Sequence, residues 1–287
     1  KGSLLARNTL LNSAGLLLGG LVAVACTPFI VRGLGVEAYG VFSFSLAILG
    51  YLGFLDLGLA RATTKFAAEC LRGGEPERLR ALVWSAVGLQ LFVGALGAVA
   101  FGAAVPALVR SVFRIPAALV VEARSTLLIL AASLPVVLAS GALRGVLEAR
   151  QRFDLVNAVK VPSLAATYVL PTAAVQLGLR LPTIVLLLVM ARGLAALGYL
   201  GLCRHVSPCL RGRPAISPKL LGTLLAYGSW VTLSNAVSPL FACLERFVLA
   251  SLTSMRAVAY YSAPHELVSG FLILPAGLVA TLFPAFS

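Results

Sequence analysis

Eight apolar runs, each long enough to cross a bilayer, constrain this 287-residue chain more than any other feature. They lie at roughly 8–31, 41–60, 81–109, 123–143, 154–177, 181–203, 220–252 and 258–285. A helix rises about 1.5 Å per residue, so about 20 apolar residues span the ~30 Å of hydrocarbon. The runs are continuous rather than alternating and rich in Ala, Leu and Gly, which suits packed helices and not the strands of a barrel. Only 11% of residues are charged and 60% are hydrophobic, whereas a soluble chain averages about 25% charged. A soluble domain of this length could not hide so much apolar surface. The expectation is an all-α, polytopic integral membrane protein.

The formal net charge of +13 invites a nucleic-acid reading, but the placement of the cations argues against one. Lys1 and Arg7 precede the first run. Arg61, Lys65, Arg72, Arg78 and Arg80 fill the second connection, Arg144, Arg150, Arg152 and Lys160 the fourth, and Arg204, Arg211, Arg213 and Lys219 the sixth. The odd connections hold far fewer: Arg32, then Arg110, Arg114 and Arg124, then Arg180, then Arg256, with Arg246 well inside the seventh run, toward its outer half. This asymmetry follows the positive-inside rule with the N-terminus in the cytoplasm, so the basic residues are mostly topological and no nucleic-acid partner is expected. Cys26, Cys70, Cys203, Cys209 and Cys243 form no C-x-x-C pair. They predict neither a metal site nor a disulfide framework, and no cofactor is implied.

The densest motif runs from Pro28 to Arg61. Arg32-Gly33-Leu34-Gly35-Val36-Glu37-Ala38-Tyr39-Gly40 makes a short polar turn, and the next run closes with Leu55-Asp56-Leu57-Gly58-Leu59-Ala60-Arg61. Further on stand Gly145-Val146-Leu147-Glu148-Ala149-Arg150 with Asn157, then Tyr227-Gly228-Ser229-Trp230, Leu244-Glu245-Arg246-Phe247, Tyr260-Tyr261 and Phe283-Pro284. In this order the set resembles the bacterial polysaccharide exporters of the Wzx type. These are flippases of lipid-linked oligosaccharides within the superfamily that also holds multidrug exporters. The family often has Asp where this chain has Glu245, a mild departure.

The resemblance implies two six-helix lobes. It divides this chain into a six-helix lobe over 1–205, a basic cytoplasmic linker over 206–219, and the first two helices of a truncated second lobe over 220–287. A faint repeat, Ile30–Tyr39 against Phe247–Tyr260, agrees with that division. The chain begins with Lys1 and stops after an apolar run, so the expectation is a fragment of a longer protein. The implied cargo is an undecaprenyl-pyrophosphate-linked oligosaccharide, moved across the bacterial inner membrane for surface polysaccharide (O-antigen) synthesis. Membrane lipids, a polysaccharide polymerase and glycosyltransferases are the implied partners. Such cargo calls for a water-filled cationic cavity, because an uncompensated anion in hydrocarbon is prohibitively costly. Prolines such as Pro28, Pro106, Pro135, Pro162 and Pro171 offer local breaks in the helices.

Arg192 is the sharpest individual candidate. It sits near the centre of the sixth run, between Leu188-Val189-Met190 and Leu194-Ala195-Ala196, too deep to snorkel easily. Its planar fork suits phosphate oxygens; the alternative is a structural ion pair. Arg61, Arg144 and Arg246 are the further substrate-binding candidates. Asp56 is expected near the inner end of the second run, with Arg61, Lys65 and Glu69 following on one helical face. Asp56 and Arg61 suit the cytoplasmic mouth of a cavity; a solvated charged helix is the plainer reading for Lys65 and Glu69. Glu245, His265 and Glu266 complete the gating or ion-coupling candidates, since His titrates near physiological pH; for His265 and Glu266 the plainer role is an interfacial anchor beside Tyr260 and Tyr261.

Enzymatic readings find no foothold. There is no G-x-S-x-G, H-E-x-x-H or P-loop pattern, so a transporter rather than an enzyme is expected. A small-molecule exporter of the same superfamily is the main competitor, and a non-transporting scaffold a third possibility. A central Arg with few compensating acids favours an anionic cargo.

Overall fold

The computed structural model describes residues 2–113, 115–235, 247–265 and 268. Helix α1 covers Gly2–Leu34 and turns at Gly35 into α2, Val36–Leu52. A short 3-10 turn, Gly53–Asp56, then leads to α3, Leu59–Gly73. The chain continues with α4 (Pro76–Ala107), α5 (Val120–Ala149), α6 (Phe153–Gln176), α7 (Leu181–Val206) and α8 (Pro218–Asn235). Residues 247–252 and 255–265 are again helical. Among the described residues four helical stretches, Pro76–Arg110, Ala117–Ala149, Phe153–Gln176 and Leu181–Val206, are long and apolar enough to cross a membrane. They coincide with the third to sixth runs of the sequence.

α5 organises the bundle. It packs most extensively against α4 and α7 and then against α3, while α1 lies along α6. Two large buried cores result among the described residues, beside a small third one of Val105, Val109 and Leu127. One gathers Ile30, Tyr39, Phe42, Phe113, Leu130, Leu134, Leu181, Ile184, Leu188 and Met255. The other gathers Leu59, Ala67, Cys70, Leu79, Leu82, Leu143, Leu147, Tyr199, Cys203, Leu210 and Leu224. The second core sits at the end that carries Arg61, Arg78, Arg80, Arg144, Arg150 and Arg204, called the basic end below. The first sits toward the opposite end, where α1 turns into α2 and α6 into α7.

One expectation needs correcting. The second run, 41–60, reads as one unbroken crossing, with Asp56 near its inner end and a charged helical face beyond it. The helix instead breaks over Gly53–Gly58 and resumes as α3. A side chain built on Gly141 of α5 would meet Ala60 and Asp56, and one on Gly145 would meet Ala60 and Thr64. α3 therefore runs beside the last turns of α5 in the same direction, continuing α2 rather than looping away. Gly58, at φ 66, and Leu57, at φ 49, make the break. Left-handed geometry costs Gly little and a Leu more. The short run of apolar residues after Asp56 conceals this break from a reading based on hydropathy. The other half of that reading stands: α3 buries Leu59, Ala62, Thr63, Ala67 and Cys70 and leaves Arg61, Lys65 and Glu69 outside that buried face. The seventh run, 220–252, is described only as far as Asn235 and again from 247.

Candidate functional site

A broken helix in an apolar bundle frees backbone N–H groups that lipid cannot satisfy. Here the side chain of Asp56 meets part of that need. Its carboxylate accepts from the Ala60 N–H in the first turn of α3 at 3.2 Å, where an acidic group also favours the helix N-terminus. Gln90 of α4 donates its Nε2–H to the same carboxylate, and its Oε1 accepts from the Ala142 N–H of α5 at 3.0 Å. Gln90 is fully buried. One amide thus ties α4, α5 and the break between α2 and α3 together. A buried polar group without such partners would cost several kcal/mol, of order 2–7 depending on reference state. Close approach of α3 to α5 depends on Gly145, whose added side chain would stand 2.9 Å from the Ala60 carbonyl oxygen.

The same region collects charge. Arg61 and Arg144 lie within electrostatic reach of Asp56. Arg144 also forms an ion pair with Glu148, Nε to Oε1 3.3 Å; the Nε–H is not aligned for a hydrogen bond. Thr64 of α3 donates to Glu148 Oε2 at 3.4 Å. Lys160 of α6 feels both Arg144 and Glu148. Lys65 Nζ stands 4.3 Å from the centroid of the Tyr227 ring of α8, and Phe66 meets that ring edge-on. Backbone contact accompanies this: side chains built on Gly58 and Gly228 would each run into the other segment's backbone. Arg61 and Arg144, two of the predicted anion ligands, are therefore brought to one end of the bundle beside Asp56.

Arg192 stands apart from them. It follows Leu188 by four residues and precedes Tyr199 by seven, which places it on one stripe of α7. That stripe faces α5: Leu188 shares a core with Leu130 and Leu134, and the Cys203 thiol lies 3.1 Å from the Leu143 carbonyl oxygen, to which it donates. Arg192 lies between the two cores, about 17 Å along the helix from Leu181 and about 21 Å from Val206. It is half-buried. Among the described residues no carboxylate comes within ion-pair distance of it. The structural ion pair that the sequence left open is not found among them.

Of the remaining candidates, Glu245, Arg246 and Glu266 lie outside the described residues. His265 is exposed, and its ring stacks on Tyr261 with centroids 5.4 Å apart. Sequence reasoning missed Gln90, although a lone amide between Leu89 and Leu91 in the middle of an apolar run is a visible signal. It also missed Glu148 as the acid facing Arg144 and Thr64, and the ion pair of Glu37 with Arg256 at 3.1 Å, which joins α2 to the helical segment 255–265 at the end opposite the basic one. Among the described residues no group of three His, Cys, Asp or Glu could hold a metal ion.

The described residues thus bring together a discontinuous helix whose Asp56 is paired, a cluster of cations at one end and a guanidinium at mid-depth. The chain is 27% identical to a putative O-antigen transporter of Shigella flexneri over 98% of its own length and 66% of that protein. It is 26% identical over 118 residues, 41% of this chain and 23% of the relative, to the uncharacterized membrane protein EpsK of Bacillus subtilis. In fold it is similar to the MATE multidrug transporter DinF-BH, with a TM-score of 0.74 at 16% identity over 98% of this chain and 64% of that one. An inward-facing MATE family transporter of the MOP superfamily gives 0.71 at 18% identity, over 93% of this chain and 61% of that one. The chain thus spans about two thirds or less of the proteins it matches. The family described as Polysaccharide biosynthesis protein matches residues 5–287, and the chain belongs to it.

Proposed function

We propose that the protein containing this chain moves lipid-linked oligosaccharides, carried on undecaprenyl pyrophosphate, across the bacterial inner membrane by alternating access. The observation that carries this reading is Arg192, a half-buried cation at mid-depth with no acidic partner among the described residues. A charge so placed is costly unless it meets water or an anion, and its bidentate fork matches phosphate oxygens. Arg61 and Arg144 supply a first contact at the basic end, which the charge asymmetry places in the cytoplasm together with the N-terminus. The pyrophosphate would pass from these residues to Arg192 while its polyprenyl tail stays in lipid. Residues 1–205 form one lobe in this reading, 206–219 the linker and 220–287 the start of the second lobe. The contacts of α8 with α3 and of residues 255–259 with α2 are where the two lobes meet. Relatives of this family and the fold of MATE transporters support the reading.

The test is complementation in cells that lack the exporter, scored by surface polysaccharide. Arg192→Ala in the full-length protein is expected to abolish export at wild-type abundance in the membrane. Normal export by that variant would remove Arg192 as the anion contact and leave it a structural role.

A further inference from the structure

We propose that the cleft between α4 and α5, at the end opposite the basic one, binds the phosphate of an anionic phospholipid. Pro106 has no N–H to donate, and within a helix its ring crowds the preceding turn. Just beyond it the helix widens into a π turn over Leu108–Val112, a feature found often at functional sites. Arg110 lies in that turn. Together with Arg124 and Ser125 of α5 it lines a cavity of about 320 Å³ whose apolar wall includes Val109, Val121 and Leu128. Both arginines are exposed, and among the described residues neither has a carboxylate within ion-pair distance. Two guanidinium groups lining one small cavity without a counter-charge repel each other and match a phosphate.

The apolar surroundings select a lipid rather than a free anion. Phe92, Leu96 and Val99 of α4 recur at helical spacing and are 67%, 62% and 71% exposed. They form a lipid-facing stripe that leads toward Arg110, about 16 Å farther along the helix from Val99. Val121 is 74% exposed beside the arginines. A molecule with an anionic head and apolar tails fits both parts, whereas inorganic phosphate fits only the arginines. The cleft is distinct from the Asp56 region and from Arg192, and the proposal does not depend on the transport reading.

Native mass spectrometry of the full-length protein, released from nanodiscs of phosphatidylethanolamine with graded phosphatidylglycerol, tests this. Wild type is expected to retain phosphatidylglycerol selectively, and R110Q/R124Q to retain it at least about tenfold more weakly, as loss of charge-assisted hydrogen bonds implies. R180Q, at the same end but outside the cavity, is expected to behave as wild type. Single R110Q and R124Q variants are each expected to give an intermediate loss, and they stand in if the double variant fails to fold. Equal retention by wild type and the cavity variants, or equal loss in R180Q, would overturn the proposal. Displacement of the lipid by millimolar inorganic phosphate alone would identify a free-anion site instead and would equally overturn it.

Discussion

Replacing Gln90 with Leu in the full-length protein probes the tie that holds the broken second crossing to α4 and α5. The substitution nearly conserves volume, so no large cavity opens, but it removes a donor to the Asp56 carboxylate and an acceptor for the Ala142 N–H. Hydrogen bonds to charged groups contribute about 1.5–3 kcal/mol net, and Ala142 keeps its helical acceptor. The expected loss is therefore about 2–3 kcal/mol. For 287 residues, at about 2.1 cal/mol/K of unfolding entropy each, that corresponds to roughly a 3–5 °C fall in apparent melting temperature, measured in detergent by loss of monodisperse protein. The partner substitution Asp56→Leu should cost a similar amount, because it strands the Gln90 amide and the Ala60 N–H. Replacing both ends of a buried polar contact by apolar groups is often nearly neutral. Asp56→Leu with Gln90→Leu is thus expected to lose at least about 1 kcal/mol less than the sum of the single variants. Strict additivity of the two would refute the coupling of Asp56 and Gln90.

Three further outcomes follow from particular contacts. Gly58→Ala places a side chain at φ 66 and 2.6 Å from the Gly228 carbonyl oxygen. It should cost at least about 1 kcal/mol and weaken cysteine cross-linking between α3 and α8, whereas Gly222→Ala, at an uncrowded position of α8, should not. Glu37→Gln removes an exposed ion pair with Arg256 and should change stability by less than about 1 kcal/mol, read by the same melting assay. A cysteine placed among 72–80 should react with impermeant thiol reagents only from the cytoplasmic side; labelling from outside intact cells would reverse the proposed topology.

Most of the architecture was legible because hydrocarbon imposes a length on each apolar run. The crossings at α4, α5, α6 and α7 match their runs for that reason, and the face of α3 that bears Arg61, Lys65 and Glu69 follows from helical spacing alone. What hydropathy could not show is where an apolar helix breaks. Leu55, Leu57 and Leu59 keep the run apolar while the backbone turns through Leu57 and Gly58, and the glycine was the only local clue. The site was legible in its residue types and less so in its groupings. Arg192 stood out because a charge at that depth needs a reason. Gln90 stood out as a lone amide and Glu148 follows Arg144 by four residues, but their contacts with Asp56 and Thr64, 34 and 84 residues away, became visible only once α4, α5 and α3 were packed.

The central claim is that a guanidinium at mid-depth receives the pyrophosphate of a lipid-linked oligosaccharide. It is tested most directly with full-length protein in proteoliposomes, by following transfer of a fluorescent undecaprenyl-pyrophosphate oligosaccharide between leaflets. Wild type should transfer it, Arg192→Ala should be at least about tenfold slower at equal protein density, and Arg192→Lys should recover part of the rate by keeping the charge without the fork. Transfer by Arg192→Ala at the wild-type rate would contradict the claim.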